Sequence, residues 1–122
     1  MKHVDAEEQK AIALTKAAIE SMRLLGLSPA ESAAALGVPP GAFTALRKGE
    51  RSVDGYTGEA EAADALVRTT KRLSALLGPE ETKWRSWLRR PSAALGARPL
   101  DLILQRHGAV NVAEHLERGG PL

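Results

Sequence analysis

The chain has no cysteine. That excludes a disulfide scaffold, thiolate catalysis and any Cys-ligated zinc or iron–sulfur site. Aromatic residues are scarce: two Trp, one Tyr and one Phe among 122 residues. Val and Ile together number only nine. Strands favour β-branched and aromatic side chains, so this shortage argues against a sheet. No apolar run approaches the roughly 18 residues needed to span a bilayer. The first residues, Met1-Lys2-His3-Val4-Asp5-Ala6-Glu7-Glu8, are charged and lack a hydrophobic stretch. No signal peptide is therefore expected, and a cytoplasmic location is.

What is present is alanine and leucine. Ala (21) and Leu (17) supply 38 of the 53 apolar residues. Both are strong helix formers, so composition alone predicts an all-α protein. A chain of this length buries roughly two-thirds of its unfolded surface. One compact domain, or two small ones sharing a core, is expected.

Charge is distributed unevenly. Residues 1–66 hold seven basic and ten acidic side chains, net −3, while residues 67–122 hold ten and five, net +5. Between Thr82 and His107 there are six basic residues and one acid, Asp101. Such a stretch is either a solvated helix face or a surface for an anionic partner. The Arg85, Arg89, Arg90 cluster is its densest part.

Periodicity predicts seven helices. Ala11, Leu14, Ala18, Met22 and Leu25 share one stripe of a helix over 4–25, capped by Asp5. Ser28-Pro29, with Glu31 three residues after the serine, opens a second helix as a capping box. It ends at Gly37, and a third helix covers 40–48. The longest helix covers 57–77, with Ala62, Leu66, Thr69, Leu73 and Leu76 inward. Gly78-Pro79 breaks it, and a helix over 79–88 carries Trp84, Trp87 and Leu88. The last two helices cover 99–106 and 109–117, with Leu100, Ile103 and Leu104, then Val112 and Leu116, inward.

Residues 27–49 have the spacing of a helix-turn-helix. Ala33 is small where two helices cross, Gly37 suits the turn, and Phe43 and Leu46 are apolar anchors. Phe43 is expected between the second, third and long helices. The presumed recognition helix offers Gly41, Thr44, Arg47 and Lys48 to operator DNA. Arg47 and Lys48 neutralise phosphates, and Thr44 is a modest base-edge donor. With no Asn or Gln there, DNA contact is chemically thin, and a homodimer presenting two such helices would compensate. An αα-corner that touches no DNA is the plain alternative.

The second constellation lies downstream. Trp87-Leu88, Pro91, Leu95-Gly96, Pro99-Leu100-Asp101, Gly108, Val112 and Leu116 stand in an ungapped order. This resembles the C-terminal toxin-binding domain of the MbcA/ParS/Xre antitoxins. The upstream helix-turn-helix is similar to that family's Xre-like half. The chain has Gly96-Ala97 where the family usually has a glycine pair. The resemblance implies two regions: 1–77, Xre-like with the long connecting helix, and 78–122, toxin-binding. It implies an antitoxin that neutralises a cognate RES-domain toxin, one that consumes NAD or transfers its ADP-ribose, by covering the NAD pocket. Repression of its own operon is the implied second role. Toxin contact is expected from His115, Glu117, Arg118, Gly119, Gly120 and Leu122. Glycines there permit close backbone approach, and Glu117 or the Leu122 carboxylate would meet the toxin's basic groups. The matched Trp, Leu, Pro and Gly residues are expected to build the domain rather than touch the partner.

Catalysis finds no support in these residues. His107 and His115 are eight apart across a glycine break, which is not metal-ligand spacing. The carboxylates form no pair, and no glycine-rich loop follows a strand. No enzyme activity, metal or cofactor is expected. The reading from another class is a helix-turn-helix transcriptional regulator without a toxin partner.

Overall fold

The computed structural model describes residues 5–119 and 122. Among them are seven helices and no strand: α1 (Ala6–Leu24), α2 (Pro29–Leu36), α3 (Pro40–Lys48), α4 (Glu59–Leu77), α5 (Glu81–Arg89), α6 (Pro99–Ile103) and α7 (Gly108–Glu117). The fold is all-α, as composition predicts.

The predicted caps are in place. Asp5 Oδ1 accepts from the Glu8 backbone N–H at 2.8 Å. Ser28 Oγ accepts from Glu31 N at 3.1 Å, and Glu31 Oε1 accepts from Ser28 N at 2.8 Å. These reciprocal bonds satisfy donors that a helix N-terminus leaves open. Gly37 ends α2 at φ +74°, a left-handed conformation that only glycine adopts without strain. Its N–H and that of Val38 donate to Ala34 and Ala33, which turns the chain into α3. Buried Ser32, Ala33, Ala35 and Leu36 of α2 and buried Phe43 and Leu46 of α3 complete the helix-turn-helix.

α4 is the spine. It packs against α1 on one side and α7 on another, and α5 folds back over its C-terminal end. Two covered sides explain why Ala63, Ala65 and Leu66 are all buried, not one stripe alone. Buried hydroxyls on α4 are satisfied locally. Thr69 Oγ1 donates to Ala65 O at 2.8 Å, and Thr70 Oγ1 to Val67 O at 2.7 Å. Ser21 of α1 and Thr70 share a further bond of 3.2 Å. Such pairing removes most of the cost of burying a polar group.

Several expectations shift. Leu76 is 42% exposed, not inward. The break at Gly78 brings α5 over the Leu77 side of α4, and Trp84 Nε1 donates to Gly78 O at 2.9 Å to fix that turn. α6 stops at Ile103 rather than 106. The chain turns there because α7 begins against the α6 backbone: a Cβ on Gly108 would lie 1.5 Å from Leu102 O. α3 packs on α2 and α1, and Phe43 is buried, at 5% exposure, as expected. Ala97 accepts from Ser92 N at 3.0 Å in an isolated bridge, while Gly96 alone takes the positive φ. The departure from a glycine pair therefore falls where no glycine is needed.

Candidate functional site

Of the six residues expected to meet a toxin, five are among the described ones, and their surroundings differ. His115 is half-buried on α7. Glu117 ends α7 and is held by Arg68 of α4, whose Nη1 donates to it. Arg68 Nε also donates to Asp64, so one guanidinium bridges two carboxylates. Arg118 is exposed and lies 3.7 Å from Glu114. Gly119 is exposed, and a Cβ there would have no neighbour within 4 Å. Gly120 lies outside the described residues. Leu122 is found beside α5, where it lines a groove with Leu77, Trp87 and Pro91. Glu117 thus has an internal partner that sequence alone did not suggest, because its arginine is 49 residues away.

On the helix-turn-helix, Gly41, Arg47 and Lys48 are exposed. Thr44 is half-buried, and its Oγ1 donates to Pro40 O at 3.2 Å. That hydroxyl is used in back-bonding to its own helix, which leaves less for a base edge. Arg47 and Lys48 border a cavity of about 510 Å³ with Lys16, Arg51, Ile12, Ile19 and Leu46. Arg51 is already spent: it grips Glu59 through two bonds of 2.9 and 3.0 Å. The hydrogen bond to Glu59 keeps Arg51 firmly protonated, its pKa raised above the ordinary value.

Two arginines of the basic stretch on α5 make bonds within the chain. Arg85 Nε donates to Leu24 O at 3.0 Å. Arg89 donates to Leu25 O at 3.3 Å and to Gly26 O at 2.9 Å. These carbonyls end α1, where a helix leaves acceptors open and carries partial negative charge. Arg89 also lies 3.9 Å from Glu31, the capping-box residue of α2. Two arginines one turn apart on α5 therefore bind the C-terminal part of the chain to α1 and to the helix-turn-helix. Arg90 is turned to Ser86 Oγ. Arg98 grips Asp101, and that hydrogen bond holds Asp101 below the usual carboxylate range. Charge-assisted bonds to backbone are the stronger kind. The double replacement Arg85→Ala, Arg89→Ala is expected to cost about 2–3 kcal/mol, measured by urea unfolding. A cost near zero would make these contacts incidental.

Among the described residues, no group of three His, Cys, Asp or Glu side chains is placed to hold a metal. No helix among them is long and apolar enough to cross a membrane. No curated protein matches the chain. Residues 62–119, from the first turn of α4 past the end of α7, match the family model of the antitoxin Xre/MbcA/ParS C-terminal toxin-binding domain, which indicates a toxin-binding antitoxin domain over this segment.

Proposed function

We propose that the chain is a cytoplasmic antitoxin that binds a cognate RES-domain toxin and covers its NAD pocket. It acts by occlusion, with no chemistry of its own. The observation that carries this reading is the match of residues 62–119 to a toxin-binding domain, joined to a helix-turn-helix in one fold. Residues 1–77 serve DNA and self-association, and residues 78–122 serve the toxin, with α4 packed against both parts. The contact to the toxin runs through His115, Glu117, Arg118, Gly119, Gly120 and Leu122. A nucleotide pocket is concave, so an occluding chain must be thin. Exposed Gly119, with open space where a side chain would be, fits that need. Glu117 would exchange its bond to Arg68 for a cation of the toxin, or keep it and leave the contact to Arg118 and Gly119.

Truncation after Glu117 tests the assignment. It keeps the Glu117–Arg68 pair and every buried residue of α7. Helicity and thermal stability are expected to stay near the full chain's. Neutralisation is expected to fail when the truncated chain is co-expressed with the toxin. Full rescue of growth would move the contact to the faces of α5 and α7.

Operon repression by a homodimer is the second role. Exposed Arg47 and Lys48 at the end of α3 support it. On duplex DNA, the slope of log K against log salt is about −0.9 for each phosphate that a protein neutralises. Arg47→Ala and Lys48→Ala are each expected to weaken operator binding for all sequences and to flatten that slope by about 0.9 per protomer. Unchanged slopes in gel shifts across a salt series would remove α3 from the DNA footprint. A regulator with no toxin partner would show these DNA effects while failing every toxin assay.

A further inference from the structure

α1 shows one large apolar side chain to solvent, Ile12, which is 38% exposed. Most of the charges along this helix are already engaged. Asp5 caps its N-terminus, Glu7 lies 3.7 Å from Lys10, and Glu20 accepts two bonds from the Arg23 guanidinium. Glu8 and Lys16 are exposed, and neither has a side-chain partner among the described residues. Glu8 stands four residues before Ile12 and Lys16 four residues after it. Positions four apart share one face of a helix. Eight residues span about 12 Å along the axis, too far for Glu8 and Lys16 to meet within one helix.

This pattern is its own complement. When two copies of α1 cross antiparallel at Ile12, Glu8 of one faces Lys16 of the other, and symmetry repeats the pair on the far side of the crossing. A parallel crossing would set Glu8 against Glu8 and Lys16 against Lys16, which repels. The surroundings favour the antiparallel approach. Ile12, Ile19 and Leu46 line the cavity at the α1–α3 edge, and Arg47 and Lys48 border it with Lys16. An arriving isoleucine meets apolar side chains there, and an arriving carboxylate meets positive charge. We propose that this face of α1 is the surface by which two copies of the chain pair, antiparallel, with Ile12 at the two-fold axis and Glu8 of each copy against Lys16 of the other.

The two kinds of contact do different work. Burial of Ile12 against its copy and the Ile19 side of the cavity supplies the driving force. Exposed ion pairs contribute little affinity each, but like charges brought face to face disfavour the wrong orientation.

The proposal rests on the homodimer reading and names its surface. Sedimentation velocity of the full chain over a dilution series tests it, with no toxin or DNA present. Glu8, Ile12 and Lys16 are exposed, so their replacement is expected to leave helicity unchanged. Lys16→Glu and Glu8→Lys are each expected to raise the dimer dissociation constant about tenfold or more, because each turns both attractions into repulsions. Mixed in equal amounts, the two variants are expected to pair again, since one copy then offers only carboxylates and the other only ammonium groups. The chain with both exchanges is expected to regain the wild-type constant. The chain has no cysteine, so an introduced one reports alone. Ile12→Cys is expected to form a disulfide-linked dimer on mild oxidation, while Ala17→Cys, on another face of α1, stays uncross-linked. A dimer indifferent to both single exchanges, or single variants that fail to pair when mixed, would overturn this face and leave the homodimer on another surface. A wild-type chain that stays monomeric across the series would overturn the face and the homodimer reading together.

Discussion

Gly108→Ala is expected to lower the stability of the chain by about 3 kcal/mol or more. The reason is space, not conformation. A Cβ at Gly108 would stand 1.5 Å from Leu102 O and 2.5 Å from Leu102 C. No rotamer relieves a clash between a Cβ and backbone, so either α6 or α7 must move. Neither moves freely. Leu100 and Ile103 of α6 are buried, as are Ala109, Val112, Ala113 and Leu116 of α7. Well-packed interiors yield poorly to an added methyl, and overpacking typically costs about 1–3 kcal/mol even where side chains give way. Here the opposing atoms are main chain, which places the cost at the upper end. Urea unfolding of the two proteins measures it, with the slope m showing whether the denatured state has changed. A loss below about 1 kcal/mol would mean that α6 and α7 are not packed in this register.

Phe43→Ala is expected to cost about 3–5 kcal/mol. Phe43 is the only phenylalanine and is 5% exposed. α3 buries just two side chains, Phe43 and Leu46. α3 also has no side-chain cap at its N-terminus. A nine-residue helix is marginal in water by propensity alone, so its packing against α2 and α1 sets its stability. Removing the ring leaves a cavity beneath the helix-turn-helix that the short α3 cannot span. Under the proposed repressor role, operator binding is expected to fall together with stability, because α3 carries both Phe43 and the exposed Arg47 and Lys48. A cost under about 1 kcal/mol would put Phe43 at the surface and displace the register of the helix pair.

Much of the fold could be read from single residues because the signals are local. Ser28 and Glu31, Gly37, Gly78 and the alanine–leucine spacing each act within four residues, and each sits where its chemistry predicts. The long-range contacts could not be read. Arg85 and Arg89 stand in a basic run that looks like a surface for an anion, yet they point at the carbonyls of Leu24, Leu25 and Gly26. Charge count cannot distinguish a cation offered to solvent from one spent on a helix end more than 60 residues earlier. Leu76 fails for a related reason: its spacing fits the inner stripe, but coverage depends on where α5 returns. For the candidate site, the sequence located α3 and the end of α7. It did not reveal that Thr44 bonds to its own backbone, that Glu117 is paired with Arg68, or that Leu122 lines the same groove as Trp87.

The central claim is that the chain neutralises an NAD-consuming toxin by binding it. The most direct measurement follows NAD loss by the purified cognate toxin as this chain is titrated in. The account predicts that NAD loss falls to background when the sites on the toxin are filled, and that the chain truncated after Glu117 does not produce this effect. NAD loss that continues at the uninhibited rate with excess intact chain present would contradict it.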